Sequence, residues 1–258
     1  MKIHHEELED VRLYLENHKD IPLEEKETHF RNILNVVQRY KPVDANSRVI
    51  EIGTGTGWFP LLCQQNGIPC EGLEISPQFV EVAKAIGARY NLVPDIRVGN
   101  LEETDLGIEQ YDVIIASNVF EHVEYWREGL ATVYRAMKPG GLLFFESTNK
   151  FSFTSGEYPD FPLYGWLPDQ WRYKLRIRVH GPDIMKLGID FHQFRYSLLR
   201  REFEKLGFRE ILDRVQTANE DTVSTAFRRI VVKASRALPP VKALSLTFAD
   251  ATRFVCLK

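Results

Sequence analysis

Cysteine is scarce in this chain of 258 residues. Three are present, Cys63, Cys70 and Cys256, an odd number with no metal-ligand spacing. That pattern argues against a disulfide framework or a metal site and fits free thiols in a reducing compartment. Long apolar runs are missing too, since none approaches the roughly 20 residues that span a bilayer. The opening MKIHHEELED is polar and acidic where a signal peptide would carry an apolar segment. A soluble cytoplasmic protein is therefore expected. Neither sign of charge dominates: a formal net charge of -3 does not suit a chain devoted to grasping nucleic-acid phosphates. What remains, 44% hydrophobic and 27% charged residues, is the composition of a globular protein that buries its core as one domain.

Hydrophobic spacing divides the chain into four parts. Over residues 1–44, Leu8, Val11 and Leu15 mark one helix, and Phe30, Ile33, Leu34 and Val37 mark a second over 22–41. Over 45–149, short apolar runs alternate with helical patterns. Strands are expected at 48–52, 71–75, 96–98, 111–116 and 142–145. Helices fall between them, one opened by Ser76-Pro77 and one over 126–138 ended by Pro139-Gly140-Gly141. Such alternation predicts right-handed crossovers and a mostly parallel sheet with helices on both faces, a doubly wound α/β fold. Residues 150–196 break the pattern, with Phe151, Phe153, Tyr158, Phe161, Tyr164, Trp166, Trp171 and Tyr173 at no clean period. This stretch reads as an aromatic insertion over the strand ends, where long irregular loops serve function. A basic flank runs through Arg172, Lys174, Arg176, Arg178, Lys186, Arg195, Arg200 and Arg201. From 197 to 258 come a helix at 197–206, a strand at 208–215, a helix at 222–238 and a final strand at 252–257, making seven strands in all.

The sharpest motif is Val49-Ile-Glu-Ile-Gly-Thr-Gly-Thr-Gly57, a strand followed by glycines 53, 55 and 57. Glycines there let the backbone pass close beneath a ligand at the strand's carboxyl end. A dinucleotide fingerprint would place its third glycine at 58, which is Trp58. Glu51 lies in the apolar strand, where an unpaired carboxylate is costly to bury. It would repel a pyrophosphate and attract a ligand with ammonium or sulfonium charge; pairing with a Lys or Arg is the structural alternative. Glu74 ends the second strand about twenty residues past the loop, where an acidic side chain meets ribose hydroxyls in this kind of fold.

These residues, with Tyr111-Asp-Val-Ile-Ile-Ala-Ser-Asn-Val-Phe-Glu-His-Val123 and Met137-Lys-Pro-Gly-Gly-Leu-Leu143, resemble the class I S-adenosylmethionine-dependent methyltransferases. Within them the chain is similar to the group around the ubiquinone-pathway O-methyltransferases. The likeness runs from about 45 to 150 and returns over His192–Phe208. It implies a Rossmann-like seven-stranded sheet with N-terminal helices, and S-adenosylmethionine as cofactor. The implied cofactor pocket comprises Glu51, Gly53, Thr54, Gly55 and Gly57, with Glu74 and Ile75 at the ribose. Asn100 and Leu101 would flank the adenine, although the family more often has Asp at 100. Asn118 would face the methionine part, and Glu121 and His122 would open the helix after the fourth strand.

Methyl transfer to a hydroxyl needs a proton acceptor, and histidine suits that task near neutral pH. His122 and His192 are the candidates, each with a purely structural alternative. His180 has no such neighbours, and His4, His5, His18 and His29 read as surface residues. The helix over 22–41 lies in a position to cover part of the cofactor. The expected acceptor is a small or lipid-linked molecule bearing a hydroxyl and an anionic group, bound beneath 150–196. The 222–238 helix sets Val223, Phe227, Ile230, Val231, Ala234 and Leu238 opposite Arg228, Arg229, Lys233 and Arg236. Such a helix rests on an anionic membrane or packs its apolar side onto its own sheet. Two rival functions stand beside O-methylation. N-methylation of protein or RNA would bring a basic groove or an Asn-Pro-Pro-type motif, and Asn118-Val119-Phe120 is not one. A non-catalytic, cofactor-binding regulator would keep the same cofactor motifs.

Overall fold

Runs of Val and Ile uninterrupted by turn residues become central strands, because a parallel strand is buried on both faces. Thus β1 (Val49–Ile52) and β4 (Tyr111–Ser117) lie side by side and parallel in the middle of the sheet. The computed structural model describes residues 19–154, 161–180, 192–219 and 225–258. Its sheet also contains β2 (Cys70–Glu74), β3 (Asp95–Val98), β5 (Met137–Thr148), β6 (Glu210–Asp213) and β7 (Ala251–Leu257). The seven strands run in the order β3-β2-β1-β4-β5-β7-β6. The first five pair parallel, and β7 runs antiparallel to both its neighbours, so the mostly parallel expectation holds. The order reverses between β1 and β4, which opens a crevice at their carboxyl ends.

Alternation along the strands divides the core into two layers. Ile50, Ile52, Ile114, Ala116 and Phe145 meet α4 (Trp126–Ala136) and α6 (Tyr196–Leu206) on one face. Val49, Val113, Ile115 and Phe144 meet α1 (Leu23–Gln38) and α2 (Trp58–Gln65) on the other. The helix opened by Ser76 is α3 (Pro77–Arg89), and its proline occupies the first turn, where no N–H is needed.

Four elements differ from expectation. Strand β5 starts at Met137, not Leu142: Tyr111 pairs with Met137, and the register then shifts before Val113 pairs with Leu142. Pro139-Gly140-Gly141 is accordingly an irregularity inside a strand already begun, and the preceding helix stops at Ala136. Strand β6 is shorter than 208–215 because Asp213 caps a new turn, α7 (Arg214–Thr217). Its Oδ1 accepts from the N–H groups of Val215 and Gln216, and Gln216 Oε1 accepts from the Asp213 N–H. Within the aromatic insertion stands α5 (Asp169–His180), whose alternating apolar and basic residues show no helical stripe. After α8 (Ala226–Ala237), Pro239 and Pro240 begin a further helix, α9 (Pro239–Thr247), where no helix was expected. The helix expected from Leu8, Val11 and Leu15 lies outside the described residues, as do His4, His5, His18, Tyr158, Lys186 and Val223. No helix among the described residues is long and apolar enough to cross a membrane.

Phe145 is fully buried, its ring 5.2 Å from that of Phe120, 6.2 Å from Phe194 and 5.4 Å from Phe203. Phe145→Ala leaves a cavity that rigid strand neighbours cannot close, so urea unfolding should show a loss of about 3–5 kcal/mol. A loss below about 1 kcal/mol would mean that the layer collapses freely around the gap.

Candidate functional site

The crevice is lined by the glycine loop that leaves β1. A Cβ on Gly53 would lie 2.4 Å from Val119 Cγ2, so the segment after β4 presses directly on the loop. At Gly57 a Cβ would meet Ala83 of α3 at 2.6 Å, which fixes how closely that helix packs. Gly55 differs: a Cβ there meets nothing within 4 Å. Its backbone, at φ +55, is the part of the loop that a ligand can approach.

Two carboxylates stand around this loop, each only 4% exposed. Burial pushes the Glu51 carboxyl up to about 8, and nearby Glu74 adds to the shift. Its partner is the Thr54 hydroxyl, which donates to Oε2 at 2.5 Å. Among the described residues no Lys or Arg pairs with Glu51, so the structural alternative finds no cation. Thr54 is itself buried, its hydroxyl turned toward Glu51. Glu74 accepts from the Gly55 N–H at 2.7 Å and the Ser76 N–H at 3.0 Å. Burial raises its pKa, against the pull of these backbone donors. Glu74 therefore clamps the open part of the loop to the end of β2, and its oxygens keep further lone pairs for hydroxyl donors.

Sequence reasoning took Ser76 for a helix cap, although its side chain makes no capping bond, and passed over Ser117. Ser76 Oγ and Ser117 Oγ, just past β2 and at the end of β4, are buried without a hydrogen-bond partner. Their strand-end positions were the available signal. Asn100 follows β3, and its Oδ1 accepts from the Glu102 N–H at 2.9 Å, shaping its own turn. Leu101 points into the core toward Gly129, whereas Ile75 is half-buried beside Glu74.

The segment after β4 gathers the remaining candidates. Asn118 is exposed and left-handed at φ +53, its N–H bound to the Glu146 carbonyl at 2.9 Å. Glu121 is buried and accepts from the Ser147 hydroxyl at 2.5 Å, so it ties this segment to β5. His122 is exposed in the single 3-10 turn Phe120–His122. His192 joins the same turn from the far side of the insertion, its N–H donating to the Glu121 carbonyl at 3.2 Å. Its ring packs against Trp126 and Phe194, and Nε2 lies 3.0 Å from the Glu124 carbonyl. A carbonyl only accepts, so Nε2 carries the proton and Nδ1 is the basic nitrogen of the neutral ring. The two expected histidines thus flank one turn. His29 is a third candidate that looked like plain surface. Its ring lies 5.3 Å from Trp58, the residue after the loop, and partial burial lowers its pKa.

Aromatic residues of the insertion stack where it leaves β5. Trp166 and Phe151 meet at 5.3 Å, and Phe153 stacks on Phe248 at 4.9 Å. Beside them a cavity of about 390 Å³ is lined by Asn149, Phe151, Arg195, Arg200 and Leu246, among others. The Arg195 guanidinium sits over the Phe151 ring at 5.1 Å.

A family model described as a methyltransferase domain matches residues 26–212. A ubiquinone biosynthesis O-methyltransferase of Methylobacterium nodulans is 31% identical over 137 residues, 51% of this chain and 53% of that protein. A probable S-adenosylmethionine-dependent methyltransferase of Mycolicibacterium smegmatis is 32% identical over 152 residues, 58% of this chain and 57% of that one. The chain spans about half the length of these relatives. Among solved structures, a SAM-dependent methyltransferase from Archaeoglobus fulgidus superposes with TM-score 0.56 at 17% identity, covering 97% of this chain and 100% of that one. Haemonchus contortus phosphoethanolamine N-methyltransferase 2, in complex with S-adenosyl-L-methionine, gives TM-score 0.58 at 14% identity, over 88% of this chain and 52% of that one.

The raised pKa of Glu51 can be tested by linkage. With a folded value of about 8 against an ordinary 4.5, the native state holds a proton that the unfolded chain has released. Stability therefore falls as pH rises through that window and levels off above it. A cationic ligand beside Glu51 favours the carboxylate and expels this proton. Calorimetry of S-adenosylhomocysteine binding near neutral pH, in buffers of differing ionisation enthalpy, should show release of close to one proton. Glu51→Gln should abolish that release. Equal proton release by parent and variant would place the titrating group elsewhere.

Proposed function

The chain belongs to the methyltransferase-domain family, and from that premise we propose that it methylates a hydroxyl on a small or lipid-linked acceptor bearing an anionic group. One observation supports the cofactor half above all. Two buried carboxylates bracket the half-buried backbone at Gly55, an arrangement suited to an ammonium and to ribose hydroxyls. S-adenosylmethionine, when bound, supplies a methyl group already activated on a sulfonium.

The residues then position, desolvate and move one proton. Glu51 answers positive charge, and Glu74 holds Gly55 while offering acceptors to paired hydroxyls. Asn118, left-handed at the end of β4, presents its side chain on the exposed side of the same crevice. With S-adenosylmethionine bound, transfer of its methyl group to the acceptor oxygen would break the carbon–sulfur bond and release S-adenosylhomocysteine, and the hydroxyl proton would pass to His192 Nδ1. The bond from Nε2 to the Glu124 carbonyl holds the ring in that tautomer. Alignment alone is worth roughly 7–11 kcal/mol, so the base supplies the smaller share. Arg195, at the start of α6 beside the insertion, suits an anionic group on the acceptor. A cytoplasmic site of action accords with the chain's free cysteines.

Screening acceptors with labelled cofactor tests the reaction itself. On the acceptor so found, His192→Gln should lower turnover roughly 10²–10⁴-fold, with S-adenosylhomocysteine affinity within about threefold of the parent. His122→Gln should cost less than about tenfold. Near-parental turnover in both variants would leave an enzyme that works by positioning alone. Cofactor binding without turnover on any hydroxyl acceptor would favour the regulatory reading.

A further inference from the structure

Helices α8 and α9 pack on each other as a hairpin that is fastened to the domain along one side only. Arg236 donates to the carbonyls of Val215 at 3.2 Å and Ala218 at 2.6 Å, and Lys242 reaches Asp213 at 2.6 Å. Ser235 and Ser245 join the two helices through a 2.7 Å hydrogen bond. Ser235 is the one buried residue of α8, and α9 has none.

Val231, Val232, Ala234 and Leu246 are half-buried, but other apolar residues of the hairpin stand exposed among the described residues. Phe227 is 73% exposed, Ile230 65%, Leu238 53% and Leu244 59%. Phe227, Ile230 and Leu238 fall on one stripe of α8 or its continuation, and Arg229 and Lys233 follow on the adjoining stripe. Single exposed apolar residues are ordinary, but a row of them bordered by one sign of charge marks an interaction surface. Residues 226–247 contain Arg228, Arg229, Lys233, Arg236 and Lys242 and not one Asp or Glu, in a chain of net charge -3. The positive charge is thus local to the hairpin.

We propose that the α8–α9 hairpin docks on an anionic lipid bilayer, with Phe227, Ile230, Leu238 and Leu244 entering the headgroup boundary and Arg228 and Arg229 meeting lipid phosphates. The charge pattern selects this occupant. A second copy related by a two-fold axis would bring the same cations face to face, whereas an anionic surface complements them. An apolar row flanked by cations on a short helix is the geometry of a segment lying in the interface plane. Phe248, which follows α9, stacks on Phe153 and lies 6.0 Å from Trp166, so docking brings the aromatic insertion to the lipid surface. If the acceptor is lipid-linked, a point that rests on the proposed reaction, it then reaches the site from the bilayer.

The test is cosedimentation of the full chain with phosphatidylcholine vesicles, with and without phosphatidylglycerol, at low and high salt. Binding should be roughly tenfold or more tighter to the anionic vesicles and should weaken with salt. Phe227→Ser combined with Ile230→Ser should lower binding about tenfold. Arg228→Glu with Arg229→Glu should remove the preference for phosphatidylglycerol. Both double variants should keep parental S-adenosylhomocysteine affinity and parental turnover on a soluble acceptor, which separates this proposal from the proposed reaction. Equal binding to both vesicle types, or parental binding by both variants, overturns it. So does sedimentation showing a self-associated parent that Phe227→Ser with Ile230→Ser converts to monomer, because a second copy would then cover the surface.

Discussion

Burial of two carboxylates at the mouth of an apolar sheet is the constraint to which the crevice is built. An ionised, unpaired carboxyl in such a place costs several kcal/mol, and a fold can meet that cost by neutralising the group or by surrounding it with donors. The chain uses one solution for each. Glu51 has only a hydroxyl donor and stays protonated to about pH 8, waiting on a positive ligand. Glu74 is held by backbone N–H groups of the glycine loop and of the residue opening α3. The consequences spread outward. Because Glu74 grips Gly55, the loop is pinned at its middle, and Gly53 and Gly57 let Val119 and Ala83 close on it from either side. The ends of β1, β2 and β4 and the start of α3 are thereby positioned around the glycine loop.

Such a site is legible in a sequence because its chemistry conflicts with its surroundings. Glu51 stands out in a strand of Val and Ile, and Glu74 stands out by its spacing from the glycines. Strand β4 was readable for the complementary reason, since Val113-Ile-Ile-Ala116 runs apolar without a break. Ser76 was read only as a helix cap and Ser117 not at all, because a serine at a strand end looks like any turn residue until its burial is seen. His29 was hidden differently: helical spacing puts it on the exposed side of α1, and only the approach of Trp58 brings it to the loop. Neither feature is encoded locally.

The misplaced elements share one cause, the loss of local signal where tertiary pairing decides. Pro139-Gly140-Gly141 has every mark of a turn, yet β5 has already begun at Met137 because Tyr111 offers it a partner. In α5 the sequence Asp-Gln-Trp-Arg-Tyr-Lys-Leu-Arg-Ile-Arg-Val-His alternates apolar and basic residues with a period of two, so it shows no helical stripe. The two prolines that open α9 gave no helical signal, but both fit the first turn of a helix, where their missing N–H groups are not required. Asp213 ended β6 early by capping α7, a box visible in the sequence once the strand's end is known.

Where the carboxyl ends of β1 and β2 hold the glycine loop, the end of β5 anchors both the aromatic insertion and the α8–α9 hairpin. The Asn149 amide, one residue past β5, donates to the carbonyls of Leu246 at 3.0 Å, Thr247 at 3.1 Å and Ala249 at 2.8 Å. It thereby satisfies carbonyls that the end of α9 would otherwise leave unpaired. One residue further, the Lys150 N–H binds the Phe194 carbonyl at 2.7 Å, and Thr148 reaches the carbonyl of His192. The aromatic insertion therefore leaves and rejoins the fold at one place, and the α8–α9 hairpin is tied to that same place. A force on the hairpin is felt first by Asn149 and Phe248, which lie beside the insertion's root and not beside the glycine loop. The glycine loop after β1 and the root of the insertion after β5 are thus separated by the width of β4 within one sheet.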